Sequence, residues 1–193
     1  FILFAITSTS TSISISKEGN MSINILRLDS SIRKTGSYSR TLSDKLIKQL
    51  TGGLHNSEQP TSEKNSKITI RDLADGLPFI DENWTKANFT PTDERTPEQH
   101  KYLATSDILV DELNNADILV IGLPIYNFSI PAAFKAWIDQ VVRSKLTFKY
   151  GENGPVGLVK NKKAYIIIVS GGTKLNTEVD FISDYIRHIL SFI

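Results

Sequence analysis

The chain has 193 residues, of which 40% are hydrophobic, and its 22 Lys and Arg residues nearly balance its 21 Asp and Glu residues. This length suits one globular domain, and the even charge without a basic stripe argues against nucleic acid or a membrane as the partner. The sequence has no cysteine, which excludes disulfides, thiolate metal sites and a cysteine nucleophile and favours a reducing, cytoplasmic compartment. Any redox chemistry therefore requires a bound cofactor.

Residues 1–20 precede the first methionine, Met21, and are rich in Ser, Thr and Ile. Their apolar block of six residues is too short to span a membrane. Two interpretations of this leader stay open, namely upstream translated sequence that is not native to the protein, and a disordered tail. We expect the domain itself to comprise residues 21–193.

From residue 23 onward, predicted strands alternate with predicted helices. The apolar run 23–28 predicts a strand, and the helical spacing of apolar residues in 37–50 predicts an amphipathic helix. Alternating isoleucines in 67–73 predict a second strand. A helix between two strands indicates a parallel crossover.

The next stretch, 73–95, has little periodicity and predicts a long excursion over the surface. Thr96 to Gln99 has a capping residue, a proline and a glutamine at the spacing of a helix start, and the helix is expected to end near Asn114. The apolar runs 117–123 and 162–172 predict central parallel strands, and 180–193 predicts a last helix. These alternations indicate a doubly wound α/β sheet in three layers, which binds ligands at the carboxyl ends of its strands.

Three loops should therefore meet at one edge of the sheet. The first, 29–40, lacks both the GxxxxGK[ST] and the GxGxxG patterns, which excludes a usual P-loop and gives little support to a dinucleotide turn. Its serines, Ser30, Ser31, Ser37 and Ser39, together with a helix N-terminus make a possible phosphate site. The alternative is that Ser37 only caps the helix and the other serines are turn residues.

The second loop lies between Pro124 and Pro131, where Tyr126 and Phe128 could pack on a planar ring and Asn127 could bond its polar edge. Alternatively, these aromatic residues only cover the end of the sheet. The third loop contains Gly171-Gly172, which would allow close backbone approach and positive φ angles. Together the three loops suit a mononucleotide with a large planar ring.

Several motifs in these loops carry a family resemblance. PxYNFxIPxxxKAWID spans 124–139, TFKYGENGPVGL spans 147–158 and RTPEQ spans 95–99. From Met21 onward the chain resembles the FMN-dependent NADH-azoreductases, also called FMN-dependent NADH:quinone oxidoreductases, which have a flavodoxin-like fold. The resemblance implies bound FMN as cofactor, NADH as electron donor, a quinone or azo acceptor and a homodimer with flavin sites at the interface. It implies neither a catalytic side chain nor a metal.

The resemblance also implies which residues form the site. Those expected to bind FMN are Ser31, Ser37, Tyr38, Ser39, Ile125, Tyr126, Asn127, Phe128, Val169, Ser170, Gly171 and Gly172. Tyr150 and Phe192 are expected to reach over the flavin of the partner and to contact substrate. The implied mechanism is ping-pong, in which NADH reduces the flavin and leaves before the acceptor takes two electrons at the same place.

The chain departs from the family pattern at some positions. Family members often have a serine at the position of Val169 and some have a histidine at that of Lys174, so no proton-donor function is carried over. The three histidines, His55, His100 and His188, are expected at the surface. The family also continues with a fifth strand and a last helix, so we expect residues 21–193 to be C-terminally incomplete and the strand in 162–172 to form an apolar edge.

Two rival functions remain open at this stage. A flavodoxin-like electron carrier would bind FMN without accepting electrons from a nicotinamide, although such carriers tend to be acidic whereas this chain is near neutral. An α/β binding module without flavin would hold some other phosphate ligand in the same loops.

Overall fold

The computed structural model describes residues 23–52 and 66–193, and residues 2–7 for their backbone alone. The strands are β1 Ile2–Thr7, β2 Ile23–Asp29, β3 Ser66–Asp72, β4 Ile118–Pro124, β5 Phe148–Gly151, β6 Gly154–Gly157 and β7 Lys163–Val169. The helices are α1 Tyr38–Leu50, α2 Glu82–Phe89, α3 Pro97–Asn115, α4 Ala132–Val141 and α5 Ser183–Phe192. Five strands form one sheet in the order β1-β7-β4-β2-β3, and β5 and β6 form a separate hairpin.

Four strands of this sheet, β3, β2, β4 and β7, run parallel to one another, as the crossover pattern predicts. Alternate residues of β4 point to opposite faces: Leu119 and Ile121 join the core formed with α3, α4 and α5, whereas Val120 joins the core formed with α1. Burying one such aliphatic side chain contributes about 1.5–3 kcal/mol. The predicted three-layer α/β fold is confirmed, with helices on both faces of the sheet.

Two helix predictions need correction. Helix α2 lies in the stretch predicted to be an irregular excursion; it is short and buries only Trp84 and Ala87, too few positions to show a helical period. Its first turn is capped by Asp81, whose carboxylate accepts a hydrogen bond from the N–H of Trp84 at 2.7 Å. The last helix begins at Ser183 rather than at 180; the carboxylate of Asp180 lies before it and accepts from the N–H groups of Ile182 at 3.2 Å and Ser183 at 3.0 Å.

The hairpin of β5 and β6 was not predicted, although it lies within the TFKYGENGPVGL motif. The helix start at Thr96 is confirmed: its hydroxyl accepts from the N–H of Gln99 at 3.2 Å, and the Gln99 side chain accepts from the N–H of Thr96 at 2.9 Å. Within the part of the chain that the structure describes, no helix has the length and apolar character needed to cross a bilayer.

The leader enters the fold in one place. Strand β1 pairs antiparallel with β7, from Ile2 opposite Ile168 to Thr7 opposite Lys163. β7 therefore has neighbours on both sides, in contrast to the apolar edge expected from the sequence. Residues 8–22 lie outside the described part, and the origin of the leader stays a prediction.

Candidate cofactor site

The parallel sheet brings the three predicted loops to one edge, called here the carboxyl edge. The loops are the serine loop (30–37), the turn region (125–131) and the glycine loop (170–177), which follow the adjacent strands β2, β4 and β7. The Tyr126 hydroxyl accepts a hydrogen bond from the N–H of Ile32 at 3.2 Å, and the N–H of Ile125 donates to the carbonyl of Val169 at 2.8 Å. The predicted meeting of the three loops is thus confirmed.

The serine loop presents hydroxyl groups at the N-terminus of α1. Ser31, Ser37 and Ser39 are buried, and the Oγ atoms of Ser37 and Ser39 lie 3.1 Å apart. Ser37 is the helix cap, but the N–H of Arg40 lies 3.5 Å from its Oγ, which is a long hydrogen bond. The first-turn N–H groups and the hydroxyls together form a donor set that suits a phosphate.

Neighbouring residues of the serine loop differ in whether they can contact a ligand. The Ser30 hydroxyl donates to the carbonyl of Gly122 at 2.7 Å, which ties the loop to β4 and explains its burial. Tyr38 has 64% of its surface exposed. A Cβ at Gly122 would lie 3.1 Å from the Oγ of Ser43, so this glycine lets α1 approach β4 closely.

The turn region contains a two-residue turn from Tyr126 to Ser129, called here the aromatic turn. Tyr126 and Ser129 exchange backbone hydrogen bonds of 3.1 and 3.0 Å, and the two residues between them have positive φ, 48° at Asn127 and 66° at Phe128. Two successive positive φ values are the signature of a type I′ turn, which usually contains Asn and Gly. Phenylalanine in this conformation is rare and costs about 1–2 kcal/mol.

The aromatic turn leaves the ring of Phe128 exposed at its tip. Asn127 and Phe128 lie at the tip of the turn, and Phe128 keeps 56% of its surface exposed. A ring that only covered the end of the sheet would be buried. The exposed ring on a rigid, strained turn is what a wall for a planar ligand requires.

The glycine loop lines an open cleft of about 490 Å³ next to β7. The cleft is formed by Ile168, Ser170, Gly171, Gly172, Thr173, Lys174, Leu175 and Thr177. A Cβ at Gly171 or Gly172 would meet no atom within 4 Å, so both face open space. Neither has a positive φ, which corrects that part of the prediction; the loop is instead held by the Ser170 hydroxyl, which accepts from the N–H of Gly172 at 3.0 Å.

Tyr150 and Phe192 do not join these loops within one chain. The ring of Phe148 contacts both, at centroid distances of 5.6 Å to Tyr150 and 4.7 Å to Phe192. The hairpin that holds Phe148 and Tyr150 follows the end of α4 and precedes the start of β7. It therefore lies near the amino ends of the parallel strands, opposite to the carboxyl edge.

None of the three loops contains a histidine. His100 and His188 are exposed on helices, as predicted, and His55 lies outside the described part. In residues 23–52 and 66–193 no group of three or more His, Asp or Glu side chains is arranged to hold a metal ion.

Sequence reasoning missed one residue beside the site. The guanidinium of Arg40 lies under the serine loop and bonds to the carbonyls of Ser31 and Arg33. An arginine three positions after a helix cap, near aspartates that end two neighbouring strands, is the signal that could have found it.

The donor set fits FMN. The serine loop offers buried hydroxyls and helix N–H groups for a phosphate, and the aromatic turn and the glycine loop leave exposed ring and backbone surfaces for a planar ring system. These are the two parts of a flavin mononucleotide, and they are offered side by side.

Comparisons with known proteins agree with this geometry. A family model for the flavodoxin-like fold matches residues 23–193. The FMN-dependent NADH:quinone oxidoreductase 1 of Colwellia psychrerythraea strain 34H is 73% identical over 171 residues, which cover 89% of this chain and 84% of the relative. The protein of the same name from Jannaschia sp. strain CCS1 is 48% identical over 170 residues, covering 88% and 82% of the two chains.

A solved structure shows the same architecture. The FMN-dependent NADH-azoreductase from Bacillus anthracis str. Ames Ancestor, crystallised in complex with FMN, superposes with a TM-score of 0.72 at 25% identity, covering 89% of this chain and 82% of that one. The fold, the site geometry and the sequence identity lead to one conclusion: the chain belongs to the FMN-dependent NADH:quinone oxidoreductase family, with its flavodoxin-like fold.

Proposed function

We propose that this protein is an FMN-dependent oxidoreductase that passes two electrons from NADH to quinones and azo compounds in a ping-pong cycle. The observation that supports this most directly is the aromatic turn, because a strained backbone holds an exposed ring beside a phosphate donor set. The relatives named above supply the reaction class. When bound, FMN supplies the two-electron chemistry, so the chain needs no acid–base pair of its own.

The residues of the chain position the ligand. Ser31, Ser37 and Ser39 orient the phosphate through their hydroxyls, with the N–H groups of the α1 N-terminus behind them. Phe128 provides one wall for the planar ring, and Asn127 hydrogen-bonds its polar edge. Because the carboxyl edge is open rather than enclosed, the donor and the acceptor can use the same exposed face in turn, which is the basis of the ping-pong order.

The glycine loop has an electrostatic function in this proposal. Gly171 lines the open cleft, and in this proposal its N–H stabilises negative charge on the ring edge. Ile125 to Phe128 and Val169 to Gly172 thus flank the ring from two sides. The hydrogen bond between Ile125 and Val169 keeps the two flanks at a fixed spacing.

The active unit is proposed to be a homodimer. Tyr150 keeps 75% of its surface exposed and lies at the opposite end of the sheet from the serine loop of its own chain. An exposed tyrosine there can reach a flavin only in a second copy. We propose a cytoplasmic location for this dimer, with small-molecule partners rather than nucleic acid or a membrane.

The cofactor is tested by recording the visible spectrum of the purified full chain and then adding NADH without oxygen. We expect a yellow protein whose absorbance near the flavin maximum is bleached by NADH and restored by a quinone. A colourless protein that takes up no added FMN would support a flavin-free binding module. A yellow protein that NADH does not bleach would support an electron carrier instead.

Complementation between two variants tests the shared site. In a mixture of Ser37→Ala chains and Tyr150→Ala chains, a mixed dimer has one site with both wild-type residues if Tyr150 serves the partner. We then expect activity above that of either variant alone. If Tyr150 served its own chain, every site would carry one defect and mixing would restore nothing.

A further inference from the structure

Arg40 makes more polar contacts than any serine of the serine loop, and all five of its N–H donors are engaged. Nε donates to the carbonyl of Arg33 at 3.0 Å, and Nη2 donates to the carbonyl of Ser31 at 2.9 Å. Nη1 and Nη2 donate to the two carboxylate oxygens of Asp72 at 2.9 and 2.7 Å, and Nη1 lies 3.3 Å from Oδ2 of Asp29. One planar group thus joins the loop to the ends of β2 and β3.

Besides Arg40, the serine loop is held near its start, where Ser30 bonds to Gly122 and the N–H of Ile32 donates to Tyr126. Residues 32–36 are all exposed, so apolar packing contributes almost nothing there. The loop contains a positive φ of 67° at Gly36, which gives the chain freedom to adopt other conformations. The two carbonyls that Arg40 holds flank Ile32. Arg40 therefore supplies the hydrogen bonds that hold the middle of the loop, and its loss would loosen the spacing between Ser31 and Ser37.

Charge gives Arg40 a second function. Asp29 and Asp72 end the two strands directly beneath the serine loop, and a phosphate above them would be repelled by their carboxylates. Oδ1 of Asp29 is buried and has no hydrogen-bond partner among the described residues. Oδ2 of Asp29 also pairs with Nε of Arg27 at 2.9 Å, so Arg27 would still balance the charge of Asp29 if Arg40 were removed. The carboxylate of Asp72 forms its ion pair with Arg40 instead.

The neighbouring groups agree with this assignment. The hydrogen bond from Arg40 lowers the pKa of Asp72 below its ordinary value, and the same contact raises the pKa of Arg40. The side chain of Arg40 is only 13% exposed, so these interactions are partly shielded from solvent. Lys34 pairs with Asp75 at the outer side of the loop, but that pair is exposed and contributes little.

We propose that Arg40 is a positioning residue for the phosphate of FMN: it fixes the spacing of the serine hydroxyls and neutralises the aspartates beneath them. This inference rests on the proposed function, because it takes the serine loop as the phosphate site. Its consequence is specific. Arg40 determines how strongly the protein prefers FMN to riboflavin, which has the same ring but no phosphate.

The test compares the two flavins in the full chain after its flavin has been removed, using quenching of flavin fluorescence to obtain each Kd. In Arg40→Lys the charge remains, but an ammonium has three donors and cannot span four acceptor groups. We expect the FMN Kd to rise roughly tenfold to a hundredfold and the riboflavin Kd to change less than about twofold. The ratio of the two constants should therefore collapse.

Arg71→Lys is the matched control. Arg71 is also partly buried and bonds a carboxylate through Nε and Nη2, that of Glu112 on α3, but it makes no contact with the serine loop. Its replacement should leave the ratio unchanged. Asp72→Asn is the second variant, which keeps the guanidinium but removes one of the two carboxylates that repel the phosphate, so we expect the preference for FMN to rise by roughly threefold to tenfold.

The outcomes separate the inference from the proposed function. If wild-type protein prefers FMN and Arg40→Lys keeps that preference, Arg40 does not position the phosphate although the proposed function stands. If both flavins lose affinity equally, Arg40 has a general structural function and the inference is wrong. If wild-type protein binds both flavins equally, the serine loop is not a phosphate site and the inference fails, whereas the proposed reaction still stands or falls by the bleaching of the flavin with NADH. If Arg40→Lys does not fold, an unchanged ratio in Asp72→Asn overturns the inference.

Discussion

Phe128 offers the sharpest test of the aromatic turn, through two substitutions that remove the same ring. Phe128→Ala and Phe128→Gly lose equal contacts, and less than half of the side chain is covered in the folded protein because 56% is exposed. They differ only in the Cβ atom, which at a φ of 66° is unfavourable for alanine but not for glycine. We therefore expect Phe128→Gly to be more stable than Phe128→Ala by about 1 kcal/mol.

The sign of this difference is the informative result. In regular secondary structure glycine is less stable than alanine by roughly 0.5–1 kcal/mol. Tyr102 gives the matched control, since it is 38% exposed and lies inside α3. There the glycine variant should be the less stable of the pair. Thermal unfolding of the flavin-free chains measures the effect, and 1 kcal/mol corresponds to about 2–4 °C in Tm for a domain of this size.

FMN binding supplies the second half of the test. Both Phe128 variants lose the ring wall, so both should bind FMN more weakly by about 0.5–1.5 kcal/mol, the usual contribution of an aromatic pair. Equal stability of the alanine and glycine variants would refute the positive φ at this position. Unchanged FMN affinity in both would refute the assignment of Phe128 to the flavin wall, whatever the stability shows.

Three further predictions concern other residues of the site. Asn127→Ala should weaken FMN binding by about 1–3 kcal/mol if its amide bonds a buried ring edge, as measured by flavin fluorescence; an unchanged Kd would reject that contact. Arg40 lowers the pKa of Asp72 in the folded protein. The ionised Asp72 therefore stabilises the fold at any pH above its unfolded pKa of about 4. This stabilisation is lost as the pH falls through the lowered pKa of the folded state. Urea unfolding between pH 3 and 6 should show a shallower acid loss in Asp72→Asn than in wild type, and parallel curves would contradict the ion pair. Tyr150→Ala should raise the acceptor KM more than the FMN Kd in steady-state assays, and the reverse pattern would remove Tyr150 from the substrate pocket.

The features that sequence predicted correctly have short-range causes. The helix start at Ser37, with the serine as its cap in one of the two interpretations, depends on the residues immediately after it, and Val120 lies in a run that is apolar on both faces of the sheet. The meeting of three loops followed from the parallel order of the strands alone. In each case the physical cause acts within one element or follows from general topology.

The features that sequence missed depend on contacts that are distant in the chain. Arg40 meets Asp72 across 32 positions, and two of its other partners are backbone carbonyls, which leave no trace in the residue types. The positive φ of Phe128 was hidden for a different reason, since a bulky residue gives no warning of that conformation. Helix α2 was missed because only two of its side chains are buried.

Tyr150 lies at the end of the sheet opposite to the serine loop, although its motif matches the family pattern. The stretch TFKYGENGPVGL resembles the family closely, yet its hairpin packs against Phe192 at the amino ends of the strands. Helix α4 begins just after the turn region at the carboxyl edge and the hairpin follows its end, so the length of α4 separates Tyr150 from the serine loop of its own chain. Both Tyr150 and Phe128 remain largely exposed, and a dimer that placed the tyrosine of one copy over the turn of the other would cover both rings at once. The site would then combine the carboxyl edge of one chain with Tyr150 from the amino ends of the strands of the other, and two chains would be needed to complete it.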